Sequence, residues 1–239
     1  MQVPDHRPTV NDPDVLRTVP PALERYTTDV VLGDLWKRPQ LSARDRGIVT
    51  LAVMIARNQS AEMPRWLDLA LDSGVEPGEI LEIITHLAFY SGWANAMSAV
   101  KVTNATFERR GIDAAERPPA SAGLLPIDEP AEARREAAVT HEFASVAPGL
   151  LQFTRDVVFR DLWLRPGLAP RDRCLVTVSA VVALGQVAQL AFYLNRALDN
   201  GLTRTQLSEV MTHLAFYTGW SYVFTALPVV KDVFEKRSV

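Results

Sequence analysis

Glu82, His86 and Tyr90 stand four residues apart along the chain, and Glu209, His213 and Tyr217 repeat the series. On a helix an i, i+4, i+8 ladder falls on one face, so the carboxylate can orient the imidazole and raise its pKa, the arrangement of a general base. The same ladder, kept in both places, serves equally as a structural histidine whose ring is satisfied by the neighbouring carboxylate. It makes a poor metal site, because each copy offers one His and one Glu, and three or four ligands would require two helices to meet. A second group consists of two R-D-R triplets that contain Arg44, Arg46, Arg171 and Arg173. A cation at a helix start does not complement the helix dipole. These arginines therefore call for partners: Asp34, Asp161 or carboxylates of the other copy, or else the carboxylate of a substrate held by a bidentate guanidinium.

The elements that must position these residues occur twice. THLAFYSGW (85–93) returns as THLAFYTGW (212–220), and the constant offset of 127 extends over nearly the whole chain. VPPALERYTTDVVLGDLWKRPQLSARDR (19–46) aligns with VAPGLLQFTRDVVFRDLWLRPGLAPRDR (146–173), and LALDSGV with RALDNGL, without a gap. Fixed spacing over this length means two copies of one folding unit. Apolar residues recur at helical steps, as in Ile48, Leu51, Ala52 and Ile55, with Ser42 as N-cap and Asp45 three residues on. Gly74 and Gly201 are placed as left-handed C-caps, and Thr203 with Gln206 forms a capping box where the first copy has Pro77. Gly92 and Gly219 predict a helix break before Trp93 and Trp220; with Trp36 and Trp163 these matched tryptophans are expected in the core. No alternating strand pattern is present. The reading is all-α: two tandem helical repeats, 14–112 and 139–239, joined by a Pro- and Ala-rich linker over 113–138 and docked as an intramolecular pseudo-dimer.

Composition narrows the chemistry. At 239 residues, 48% hydrophobic and 22% charged, the chain is long enough for one large core or two small ones. A net charge of −3 and the lack of a basic run with interleaved aromatics argue against nucleic acid. No window predicts a membrane span, and the polar, Pro-rich beginning lacks a secretory h-region, so a cytoplasmic protein is expected. The single Cys174 excludes an internal disulfide and a C-x-x-C redox pair. Patterns for nucleotide, zinc-protease and dithiol chemistry are missing, so no cofactor and no metal are expected.

The ordered motifs R-x-x-L-S-x-R-D-R, A-L-D-x-G-V and T-H-L-A-F-Y-x-G-W resemble the carboxymuconolactone decarboxylase family, which includes alkylhydroperoxidase-type members, over residues 35–110 and 162–237. The resemblance implies an all-helical fold and an assembly in which a fused pair takes the place of a dimer, giving a homotrimer of pseudo-dimers. It also marks positions where this chain departs from the family. The Glu that follows R-D-R in the family is Gly47 in one copy and Cys174 in the other. The redox members' two cysteines are Gln59 and Glu62, then Gln186 and Gln189; the His is Trp66, then Tyr193. A lone Cys174 offers a peroxide-attacking thiol without a resolving one.

Most of these substituted positions differ between the copies while their scaffold stays the same, which is the mark of one specialised pocket; the bland alternative is drift after duplication, with Trp66 filling a void. Glu62 is the only carboxylate of the set and the first candidate for general base. Tyr193, Gln59, Gln186 and Gln189 are candidate donors to an oxyanion or carbonyl. The expectation is a cofactor-independent lyase or isomerase that acts by proton transfer on a small organic acid, lactone or enolisable ketone. Candidate catalytic residues are Glu62, Tyr193, Cys174, His86 and His213, with Gln59, Trp66, Gln186, Gln189, Arg46 and Arg173 binding substrate. Alternatives are a catalytically silent assembly protein and a thiol peroxidase using Cys174.

Overall fold

The computed structural model describes residues 20–113, 118–121 and 123–237, and among these the regular structure is entirely helical. The first repeat opens with α1 (Pro21–Arg25), which continues in wider π-type turns over Tyr26–Leu32. A single 3-10 turn (Leu35–Lys37) leads to α2 (Ala43–Ala56), α3 (Met63–Asp72), α4 (Pro77–Ser91) and α5 (Trp93–Arg110). The second repeat follows the same order. It comprises α7 (Pro148–Phe153) with π-type turns over Thr154–Phe159, a 3-10 turn (Leu162–Leu164), α8 (Pro170–Ala183), α9 (Val187–Asp199), α10 (Arg204–Thr218) and α11 (Trp220–Lys236). Between the repeats α6 (Glu129–Phe143), capped by Asp128, crosses the residue at which the linker was expected to end.

Capping explains where these helices start. The Ser42 hydroxyl accepts from the Asp45 amide at 3.0 Å. Thr203 and Gln206 form the expected capping box, and the first copy has one too, because Glu76 acts as N-cap and Glu79 reaches back to its amide. Gly74 and Gly201 close α3 and α9 at φ +92°, a conformation that L side chains rarely adopt.

Hydrophobic burial sets the arrangement of the repeats. α2 is buried from Asp45 to Ala56 and α8 from Asp172 to Ala183, so both are apolar nearly all round and must be covered on every side. They pack against each other at the centre, and the repeats then exchange cover: α4 lies on α8 and α10 lies on α2. The halves form one core, which explains why a hundred-residue unit rich in apolar side chains was doubled. Across the pseudo-twofold Arg171 donates to Asp45 at 2.9 and 2.7 Å, and Arg44 donates to Asp172 at 2.9 Å.

The nine-residue motif has two faces. His86, Leu87, His213 and Leu214 are fully buried. Trp93 and Trp220, expected in the core, are instead 64% and 54% exposed. Gly92 and Gly219, at φ +96° and +93°, redirect the chain so that each Trp opens a new helix on the outer surface, edge-on to Phe89 or Phe216. No described helix is long and apolar enough to cross a membrane.

Candidate functional site

Each Glu-His-Tyr ladder meets the opposite repeat. Glu209 on α10 accepts from Arg38 at 2.8 Å and from Arg46 at 2.9 Å, both residues of the first repeat. Glu82 on α4 accepts from Arg165 at 3.0 Å and from Arg173 at 2.7 Å, both of the second. Arg46, Arg173, Glu82 and Glu209 are buried. Burial pushes the Glu82 carboxyl up, but hydrogen bonds from Arg165 and Arg173 outweigh it and hold it below its usual value; Arg38 and Arg46 do the same for Glu209. The guanidiniums proposed as substrate anchors, Arg46 and Arg173, are thus engaged in buried pairs that join the repeats. Their partners are neither Asp34 nor Asp161.

The histidines contradict the expectation that Glu raises their pKa. Neither glutamate is a hydrogen-bond partner of the ring one turn away; each ring bonds a threonine of the opposite repeat, with His86 Nε2 2.8 Å from Thr177 Oγ1 and His213 Nε2 2.8 Å from Thr50 Oγ1. Thr177 spends its one proton on the Arg173 carbonyl at 2.7 Å, so it can only accept from His86. The ring is therefore the neutral Nε2–H tautomer, and its Nδ1 has no partner. In the other half Arg46 Nη1 lies 3.3 Å from the same atom of His213. Burial first and the facing arginine second drive His86 well below its ordinary pKa and His213 down to about 3. Both rings are buried, bonded across the repeats and held on the neutral side.

Two aromatic clusters surround the ladders. In one, Trp66 of α3 stacks on Trp36 with centroids 6.0 Å apart and meets Tyr217 edge-on at 5.1 Å; the Tyr217 hydroxyl accepts from Trp36 Nε1 at 2.8 Å. In the other, Tyr193 of α9 takes the Trp66 role, stacked on Trp163 at 6.2 Å and edge-on to Tyr90 at 5.6 Å. The ring geometry is the same and the polarity is not. Tyr90 oxygen accepts from Trp163 Nε1 at 2.8 Å and from the Tyr193 hydroxyl at 3.2 Å. That pair of phenols holds two O–H groups and one internal acceptor, which leaves one proton to donate. Burial raises the pKa of both, so they remain protonated donors.

A cleft of about 470 Å³ opens beside Tyr193, bounded by Gln189, Phe192, Phe159, Thr154 and, from α6, Arg135 and Glu142. Gln186, at the N-cap of α9, is exposed. Gln59 and half-buried Glu62 lie in the turn leading into α3, on the Trp66 side of the molecule, so the candidate base and Tyr193 belong to different clusters. Cys174 is fully buried, and burial pushes its thiol up to about 12, which keeps it protonated and unreactive. At Gly47 a Cβ would meet Ala70 at 3.1 Å, so the first repeat has closed over its glutamate position.

Several residues of this site were missed. Arg38 and Arg165 recur in the matched L-W-x-R-P, and Thr50 and Thr177 recur one turn after R-D-R. Arg196, whose counterpart is Leu69, differs between copies as Trp66 and Tyr193 do, which was the available signal.

The profile of the carboxymuconolactone decarboxylase family matches the chain twice, over residues 21–105 and 148–232. Among curated proteins the chain is similar to the 4-carboxymuconolactone decarboxylase of Acinetobacter baylyi, 33% identical over 79 residues, which cover 33% of this chain and 59% of that protein. It is also similar to a nitrosuccinic acid decarboxylase of Metarhizium robertsii, 32% identical over 83 residues, covering 35% and 58%. The chain thus spans a little under three fifths of the length of these relatives.

Proposed function

The chain belongs to the carboxymuconolactone decarboxylase family, and on that premise we propose that it is a cofactor-independent decarboxylase of a small organic acid, working in the second-repeat cleft beside Tyr193. The observation that carries this reading is the phenol pair: Tyr193 lines a cleft large enough for a small acid, and the pair keeps one O–H beyond its internal hydrogen bond. Cleavage of the C–COO⁻ bond releases carbon dioxide and leaves its electron pair on the substrate. A lactone carbonyl or a nitro group conjugated to that carbon turns the pair into an oxyanion. Tyr193, backed by Tyr90, and the Gln189 amide are the donors proposed to stabilise it, and the carbon then takes a proton from water. Glu62, His86, His213 and Cys174 have no part in this reading. Both relatives named above are decarboxylases of small acids, which supports the substrate class.

Carbon dioxide release tests it, with carboxylated lactones and 2-nitro dicarboxylic acids as the panel. The wild type turns over at least one of these, and Tyr193→Phe reduces kcat by about 100-fold, the size of effect seen when one oxyanion donor is lost. No release from any member, or an unaffected Tyr193→Phe, contradicts the proposal. A silent assembly protein is favoured only by the loss of the family's Glu and His, and the wild-type result separates the two readings. We further propose that three chains assemble through the outward Phe89–Trp93 and Phe216–Trp220 pairs, an exposed aromatic surface of the kind that marks interfaces.

A further inference from the structure

A second cleft, of about 400 Å³, lies between α6, the segment before it and the C-terminal half of α9; Phe159 borders both this cleft and that of Tyr193. Arg196 enters it from α9. Its guanidinium carbon sits 4.2 Å from the centroid of Trp163 and 5.4 Å from that of Phe159, while Arg135 covers Phe159 at 3.9 Å. The Arg196 Nε is buried without a hydrogen-bond partner, and among the described residues its guanidinium makes no ion pair. Arg46, Arg165 and Arg173, by contrast, each hold a carboxylate.

Three acidic residues line the same cleft, but each is already engaged. Asp128 caps α6 by accepting from the Ala131 amide at 2.9 Å, Glu132 pairs with Arg135, and Asp199 pairs with Arg237 at 2.8 Å. None of these pairs involves Arg196, and exposed Arg134 also lines the cleft. A purely structural role does not account for Arg196, because the first repeat builds the same helix with Leu69 at the equivalent position. The lining also includes the apolar side chains of Leu125, Pro126 and Ile127.

We propose that this cleft is a binding site for a small organic carboxylate, whose two oxygens are held by the Arg196 fork while its apolar body rests against the Leu125–Ile127 segment. The planar fork accepts either carboxylate or phosphate, and the apolar wall selects an organic acid. The site does not depend on turnover at Tyr193, so it stands or falls separately from the decarboxylase reading.

The test is calorimetric titration of the full chain with benzoate, acetate and inorganic phosphate. Benzoate binds saturably and more tightly than acetate or phosphate. Arg196→Leu, which copies the first repeat and should fold as the wild type does, weakens benzoate by about tenfold or more, the equivalent of about 1.4 kcal/mol. Arg196→Lys keeps the charge without the fork and falls between the two. A thermal melt of each variant checks folding, and intermediate binding by a folded Arg196→Lys supports the site even if Arg196→Leu fails to fold. Benzoate that does not saturate, binds a folded Arg196→Leu equally, or is outcompeted by phosphate overturns the proposal. Binding without carbon dioxide release from the panel supports this site and counts only against the decarboxylase.

Discussion

The two halves of this molecule share a scaffold and differ at a ring in its aromatic clusters. In both, a tryptophan from a 3-10 turn donates to a tyrosine of the opposite repeat, a buried histidine bonds a threonine there, and a glutamate is clamped by two arginines. Where the first half then places Trp66, the second places Tyr193, which lines a cleft and whose hydroxyl bonds that of Tyr90. What duplication preserved is the machinery that joins the repeats, and what it released is the position facing the cleft. A motif repeated almost letter for letter thus reports architecture, and the divergence beside it is where the proposed function lies.

The largest expected effect tests the shared part. Glu82→Ala or Glu209→Ala leaves two arginines facing an empty site, one of them fully buried, and costs about 3–5 kcal/mol. Urea denaturation should give similar losses for the two, because the pairs are equivalent; a loss confined to one half would break the symmetry argued here. Trp66→Ala should cost about 3 kcal/mol and leave carbon dioxide release unchanged, whereas Tyr193→Phe should change stability by only about 1 kcal/mol and lower turnover. The opposite pattern would move the working site to the first half.

Acid sharpens the same point. His213 is held neutral with a pKa of about 3 in the folded protein, against an ordinary value near 6.5, so between those limits the unfolded chain binds the extra proton. Stability is full above about pH 6.5 and falls on acidification, by up to about 1.4 kcal/mol per pH unit for each buried histidine. Glu82 and Glu209, lowered by their arginines, add a loss only below the usual carboxylate range. Denaturation midpoints that stay level from pH 7 to pH 5 would contradict the locked histidines. The smallest effect is at the surface: Trp93→Gln should alter the stability of a single chain by less than about 0.5 kcal/mol, yet shift sedimentation toward smaller species.

The fold was legible in the sequence because repetition and helical periodicity are local signals that survive without coordinates. Ser42, Gly74 and Gly201 announced their helix ends, and the offset of 127 announced the pairing. The site was legible only in part. A ladder of Glu, His and Tyr on one face suggests contact within that face, whereas here each side chain reaches across to the other repeat, which no single-helix argument can foresee. Trp93 and Trp220 were misread for a related reason: aromatic residues are usually buried, and the outward turn depends on a positive φ at the preceding glycine. Tyr193 was found from asymmetry alone, and the same comparison, applied to Leu69 and Arg196, would have found the cation of the second cleft.

Exchanging the two diverged rings tests most directly the claim that the second half carries the working site. Tyr193→Trp gives the second cluster the ring of the first and removes the hydroxyl, while Trp66→Tyr does the reverse. Measured on the same substrate panel, Tyr193→Trp should abolish carbon dioxide release in a protein that still folds, and Trp66→Tyr should retain it. Full activity in a folded Tyr193→Trp, or its loss in Trp66→Tyr alone, would contradict the account.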